Sequence, residues 1–216
     1  MILGHYGVAF ASKRLVPRSS LGTLAFAAQL LDEVWPILVL LGIERVRVVP
    51  GLMAANPLEF VYYPFTHSLA MALVWGLAVG GIHFAAKRDA RTALVLGALV
   101  VSHWVLDFPM HLRDLELWPG SGIRVGLGAW RSVPLTLVLE LGIFALGVAS
   151  YMRQTRARDR IGAVGLWVSV VLLLAVLLSG FGPPPPSAKA IGASALGLWI
   201  FVPLLYWVDN HRGLRA

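Results

Sequence analysis

The chain alternates long apolar runs with short polar breaks, and within each run the apolar residues are continuous rather than alternating. Six runs are long enough to cross a hydrocarbon core, which takes about twenty apolar residues in a helix. They cover residues 21–43, 67–86, 91–108, 133–152, 161–181 and 191–208. An outer-membrane barrel would instead show segments of about ten residues with a two-residue period. Residues 1–12 are also apolar but too few to cross, so they are expected to form a half-inserted or interfacial helix. The pattern predicts an all-α integral membrane protein: six transmembrane helices plus an N-terminal half-helix, in a single transmembrane domain over residues 1–216.

Polar residues inside the runs break this pattern at specific points. The first run carries Gln29, Asp32 and Glu33 at its middle, followed by Pro36. A proline removes the hydrogen bond to the carbonyl four residues earlier, here that of Asp32, so a kink is expected at the acidic pair. The second run opens with Thr66-His67-Ser68, where Thr66 reads as an N-cap and places His67 in the first turn. The third run ends with His103, Asp107 and His111 at spacings of four, which puts all three on one helix face. The fourth carries Glu140, whereas the fifth and sixth hold no titratable group between their ends. Residues 183–186 are all proline and read as a stiff extended spacer of roughly 12 Å.

Six crossings return both ends of the chain to one side of the membrane. The side that holds the turn at residues 87–91 carries twelve of the basic residues and the other side six, so the first is expected to be cytoplasmic. Depth then follows from the helical rise of about 1.5 Å per residue. His67, His103 and Asp107 fall at the same outward end of neighbouring antiparallel helices. Asp32, roughly 18 Å above the cytoplasmic side, and Glu140, about 12 Å below the outer side, come near the same level. His5 joins them if its helix tilts inward. Six titratable groups thus converge in the outer half of the bilayer, where such groups are costly and mark functional sites.

Composition narrows the chemistry. The chain is 58% hydrophobic and 13% charged, with a net charge of +7. Its mean hydropathy is +0.76. The basic residues sit at helix ends rather than in a stripe on a soluble domain, which excludes nucleic acid as a partner and fits anionic lipid. Residues 1–12 lack the basic start and small-residue cleavage site of a secretory signal peptide. With no cysteine, a metal would be held by His, Asp, Glu or water, which suits zinc, manganese, magnesium or iron.

Gly4-His5-Tyr6, Asp32, Phe65-Thr66-His67-Ser68-Leu69 and Ser102-His103-Trp104-Val105-Leu106-Asp107 together resemble a family of inner-membrane proteins assigned as metal-dependent hydrolases, whose best-known members are described as LexA-binding inner-membrane proteins. The resemblance covers residues 1–112. It departs at Val34, where the family often carries a second aspartate two positions after the first. In the order His, Asp, His, His-x-x-x-Asp the chain is also similar, more distantly, to zinc-dependent phospholipase C and related single-strand nucleases.

The resemblance implies a divalent metal, zinc ahead of manganese or magnesium, on His5, Asp32, His67, His103 and Asp107. Asp32 or Glu33 would be the catalytic base. His111 and Glu140 are expected beside the ligands, as supporting groups or proton carriers. Arg113 and Arg124, in the loop over residues 109–131, are expected to position an anionic headgroup, and the glycines of that loop would let it fold as a lid. The activity expected is hydrolysis of a lipid or an amphiphilic ester or phosphoester at the outer face of the inner membrane. An ion-coupled transporter and a non-catalytic scaffold braced by metal remain the alternatives, since intramembrane Asp, Glu and His also mark ion pathways.

Overall fold

The computed structural model describes residues 1–215 and contains six helices long and apolar enough to cross a membrane. The N-terminal half-helix is α1 (Leu3–Ser12), and the first crossing is α2 (Leu21–Leu40). A hairpin of β1 (Arg45–Val48) and β2 (Leu58–Tyr62) and one turn of helix, α3 (Pro64–His67), lead to α4 (Leu69–Lys87) and α5 (Ala90–Met110). A two-residue ladder, β3 (Leu115–Glu116) with β4 (Arg124–Val125), precedes α6 (Val133–Gln154). Then come β5 (Thr155–Ala157), α7 (Arg160–Ser179), α8 (Ala188–Ala195), α9 (Phe201–Asn210) and β6 (Arg212–Leu214), which pairs with β5.

Local chemistry sets the helix ends. Ser20, Ser68, Asp89, Ser132, Asp159 and Ser187 stand at N-cap positions, each accepting a hydrogen bond from the backbone N–H three residues on. These caps satisfy donors that the first helical turn leaves free. The hydroxyl of Asp89's partner, Thr92, donates to its second oxygen at 2.6 Å, and these bonds hold the Asp89 carboxyl below the usual range.

The predicted crossings agree with the observed ones to within a few residues, with three corrections. The first helix stops at Leu40 rather than residue 43, because Gly42 takes a positive φ of 73° and the chain turns into β1. Ser68, not Thr66, caps α4, so His67 lies in the preceding single turn. The last crossing is not one uniform helix: a 3₁₀ segment, Leu196–Ile200, separates α8 from α9.

α2 is the central post, packed against α1, α5, α8 and α9. α1 is inserted rather than interfacial, since Leu3, His5, Tyr6, Ala9 and Phe10 are all fully buried. Its close approach to α6 depends on Gly7, where a Cβ would come within 2.6 Å of the Ile143 carbonyl oxygen, and on Gly147, which faces the Gly7 backbone. Small residues let helix backbones approach in this way inside a membrane. The contact carries His5 into the bundle interior.

Candidate metal centre

Four imidazoles and two carboxylates meet at one end of this interior. Asp107, on α5, is the hub. Its Oδ2 lies 3.4 Å from His103 Nε2, 3.6 Å from His67 Nε2 and 3.8 Å from His111 Nε2. Its Oδ1 faces His5 Nε2 at 3.2 Å and accepts from the Met1 amino group. Asp32 closes the ring from α2, its Oδ1 3.4 Å from His67 Nε2 and 3.6 Å from His103 Nε2. The His5 and His103 rings stack with centroids 3.6 Å apart.

The outward side of each imidazole decides what its inward nitrogen can do. His103 Nδ1–H donates to the Ala28 carbonyl at 2.8 Å, which turns Nε2 towards the two aspartates, and no hydrogen-bond partner meets that atom among the described residues. His67 Nδ1 lies 2.7 Å from the Thr66 hydroxyl oxygen, whose proton goes to Glu44 at 2.7 Å, so Nδ1–H donates and Nε2 again faces inward. Glu44 also accepts from the backbone N–H groups of Phe65 and Thr66, at 2.8 and 2.9 Å. Burial pushes the Glu44 carboxyl above its usual range, and these three donors together with His67 pull it back. His111 Nδ1 faces Asp114 at 3.1 Å, and the Tyr63 hydroxyl donates to the same carboxylate at 3.0 Å. Burial, with Asp114 alongside, raises the Tyr63 phenol well above its ordinary value and keeps it a donor.

Among the described residues, two overlapping groups could hold a metal ion: His5, His103 and Asp107, and Asp32, His67 and His103. The donor atoms of each group lie within 4.8 Å of one another. The four N···O separations between the His67–His103 and Asp32–Asp107 pairs, 3.4 to 3.6 Å, are long for hydrogen bonds. They match the span between neighbouring ligands on a tetrahedral ion with bonds near 2.1 Å, about 3.4 Å. The residues present therefore fit a divalent ion, with carbonyl, hydroxyl and carboxylate partners orienting the rings as ligating histidines require.

The remaining expected residues are placed differently. Glu140 accepts from the backbone N–H of Ile2, at 2.9 and 3.2 Å, and from that of Gly4, at 3.0 Å. It is thus a carboxylate cap on α1, which fixes the register of His5. The Glu33 carboxylate is fully buried, has no hydrogen-bond partner and belongs to neither ligand group. Arg113 is exposed, and Arg124 pairs with Glu116 at 3.6 Å across the β3–β4 ladder. The loop itself packs down on α5, with Gly128 N–H donating to the His111 carbonyl at 2.6 Å and Trp130 against the His111 ring.

A cavity of about 810 Å³ adjoins the cluster. Asp32, His67, Asp107, His111 and Glu140 line one pole, and mainly apolar residues of the chain start, the β1–β2 hairpin, α7, the proline run, α8 and the 3₁₀ segment line the rest. Neither Arg113 nor Arg124 reaches it. Sequence reasoning missed Glu44, the Thr66 hydroxyl, and the Tyr63–Asp114 pair. Glu44 and Asp114 lie in polar connections where acids are ordinary, and Thr66 carried the competing signal of an N-cap. Only the adjacency of Thr66 to His67 hinted at its role.

A sequence model of the YdjM inner membrane protein family matches residues 2–182, which takes in every residue of the cluster. The chain belongs to that family. No curated protein and no solved structure matches the chain. The YdjM match also runs beyond the segment on which the resemblance was first seen, and reaches into the cavity wall formed by α7.

Proposed function

We propose that this YdjM-family chain is a membrane-embedded metal-dependent hydrolase acting on a lipid or an amphiphilic ester or phosphoester. The observation that carries the reading is the pair of inward-facing Nε2 atoms on His67 and His103, each 3.4 to 3.6 Å from Asp32 and Asp107, with Asp32, His67 and Asp107 lining one pole of a large apolar cavity. Imidazole with carboxylate favours zinc over magnesium. His67, His103, Asp107 and Asp32 would hold the ion, with His5 beside Asp107. When bound, a divalent ion supplies Lewis acidity and lowers the pKa of water towards neutrality.

The chain's own groups supply the rest. Asp32, whose side chain is 20% exposed and lines the cavity, takes up a proton at the carboxylate oxygen not engaged with the imidazoles. His111, held through Nδ1 by Asp114, presents Nε2 towards the same space and carries a proton to the leaving group. Apolar walls exclude bulk water and strengthen each charged contact at the pole. The bias of basic residues supports cytoplasmic tails and a site that opens outward.

The test is turnover of a panel of long-chain esters and phosphoesters by protein in lipid nanodiscs, with added zinc. Hydrolysis by the natural chain that falls to background after chelation and in Asp107→Asn supports the reading. Absence of turnover across the panel, or turnover indifferent to Asp107→Asn, overturns it.

A further inference from the structure

The shape of the cavity is not what a water-and-ion site requires. At about 810 Å³ it lies in the upper range for pockets that enclose drug-sized ligands, roughly 300–1,000 Å³. Its long wall is built from Val176 and Leu177 on α7, Ile191 and Ala195 on α8, and Leu198 and Phe201 beyond them. α7 packs along α9, whereas α8 packs on α2 and β1, so α7 and α8 part company towards the proline run. The cavity occupies that gap, with Pro183, Pro184 and Pro185 across its end. Leu172 and Ile200, at its rim, are 44% and 65% exposed on surfaces that face lipid in a spanning bundle.

Charge narrows the occupant further. Three carboxylates, Asp32, Asp107 and Glu140, stand at the polar pole, and among the described residues no Lys or Arg side chain lines the cavity. The Met1 amino group is already taken by Asp107, so a free anionic headgroup would find no unpaired cationic side chain there. An uncharged ester group needs no such partner, and a hydrocarbon chain suits the remaining wall.

We propose that this cavity is an acyl-chain site: one long hydrocarbon arm of an uncharged lipid ester enters from the bilayer between α7 and α8 and brings its ester group to the His/Asp pole. The proposal rests on the hydrolase reading only for what happens at that pole. The 3₁₀ break at Leu196–Ile200 belongs to the same device, since it sets Gly197 at the rim, where an added Cβ would meet nothing within 4 Å. Larger side chains can therefore be placed there without a clash at the first carbon.

The test uses full-length protein in phosphatidylcholine nanodiscs and a non-hydrolysable glycerol monoalkyl ether with a diazirine in its chain, with crosslinks mapped by mass spectrometry. Labelling should concentrate on Val176, Ile191 and Ala195, be displaced by excess monoacylglycerol, and fall about tenfold in Gly197→Trp and in the independent Ala195→Phe, with bound zinc unchanged. Labelling spread evenly to lipid-facing Leu77 and Val138, without displacement and unchanged in both variants, overturns the proposal. So does equal labelling by a phosphate-headed probe with the same chain. Because the probe cannot be hydrolysed, cavity labelling in a protein without esterase turnover keeps the acyl site and removes the hydrolase reading. Turnover of a short soluble ester without cavity labelling does the reverse.

Discussion

Two buried polar clusters sit at opposite ends of α1, and they differ in one respect. At the far end, Asp209 accepts from Lys13 Nζ at 2.6 Å, from the Tyr151 hydroxyl at 2.6 Å and from Leu21 N–H at 3.0 Å. Every strong group there is matched. At the near end, His103 Nε2 and both ring nitrogens of His5 are buried with no hydrogen-bond partner. Burial penalises unmatched polar groups in both places, so the first is a latch, and the second is where the reading proposed above puts a metal ion. Burial of charge does not separate the two; the near end differs in that its unmatched nitrogens also converge on two carboxylates, which the equally unmatched Glu33 does not.

The largest effect should come from breaking the latch. Asp209→Ala leaves the Lys13 ammonium, the tyrosine hydroxyl and a backbone donor unmatched, which should cost about 3–5 kcal/mol in reversible unfolding in detergent. A cost under about 1 kcal/mol would erase the contrast. Next comes Glu44→Gln, which disturbs the Thr66 hydroxyl behind His67 without touching a ligand. Zinc affinity by chelator competition should fall about 10–100-fold while helical content is unchanged. Glu140→Ala removes the α1 cap and should cost about 1 kcal/mol, read as faster amide exchange in α1. Smallest is His5→Leu in metal-free protein. Its ring nitrogens make no hydrogen bond, so stability should hold within about 1 kcal/mol, the reverse of the Asp209 result.

Apolar periodicity made the crossings legible, because a bilayer leaves a helix no alternative to a long continuous run. It also fixed the level at which His67, His103, Asp107 and Asp32 would meet, since helical rise converts sequence distance into depth. What it could not give was azimuth. Asp32 and Glu33 are neighbours in sequence, yet only Asp32 reaches the cavity, and the chain pattern does not say which way a mid-membrane acid points. The β1–β2 hairpin and the turn holding His67 were hidden for a related reason: their residues are mixed in polarity, and β1 is packed on α8 and the turn on α2 and β3, contacts that local propensity does not show. Glu140 was correctly placed in depth, but its partner proved to be the start of α1, a contact 138 residues away along the chain.

The central claim is that His67, His103, Asp32 and Asp107 hold a metal ion. Elemental analysis of purified protein before and after the single change Asp107→Asn tests it most directly. The account predicts a stoichiometric divalent ion in the natural chain, lost from the variant while the helical signal is retained. Natural protein that takes up no zinc, or a variant that keeps it, would contradict the account.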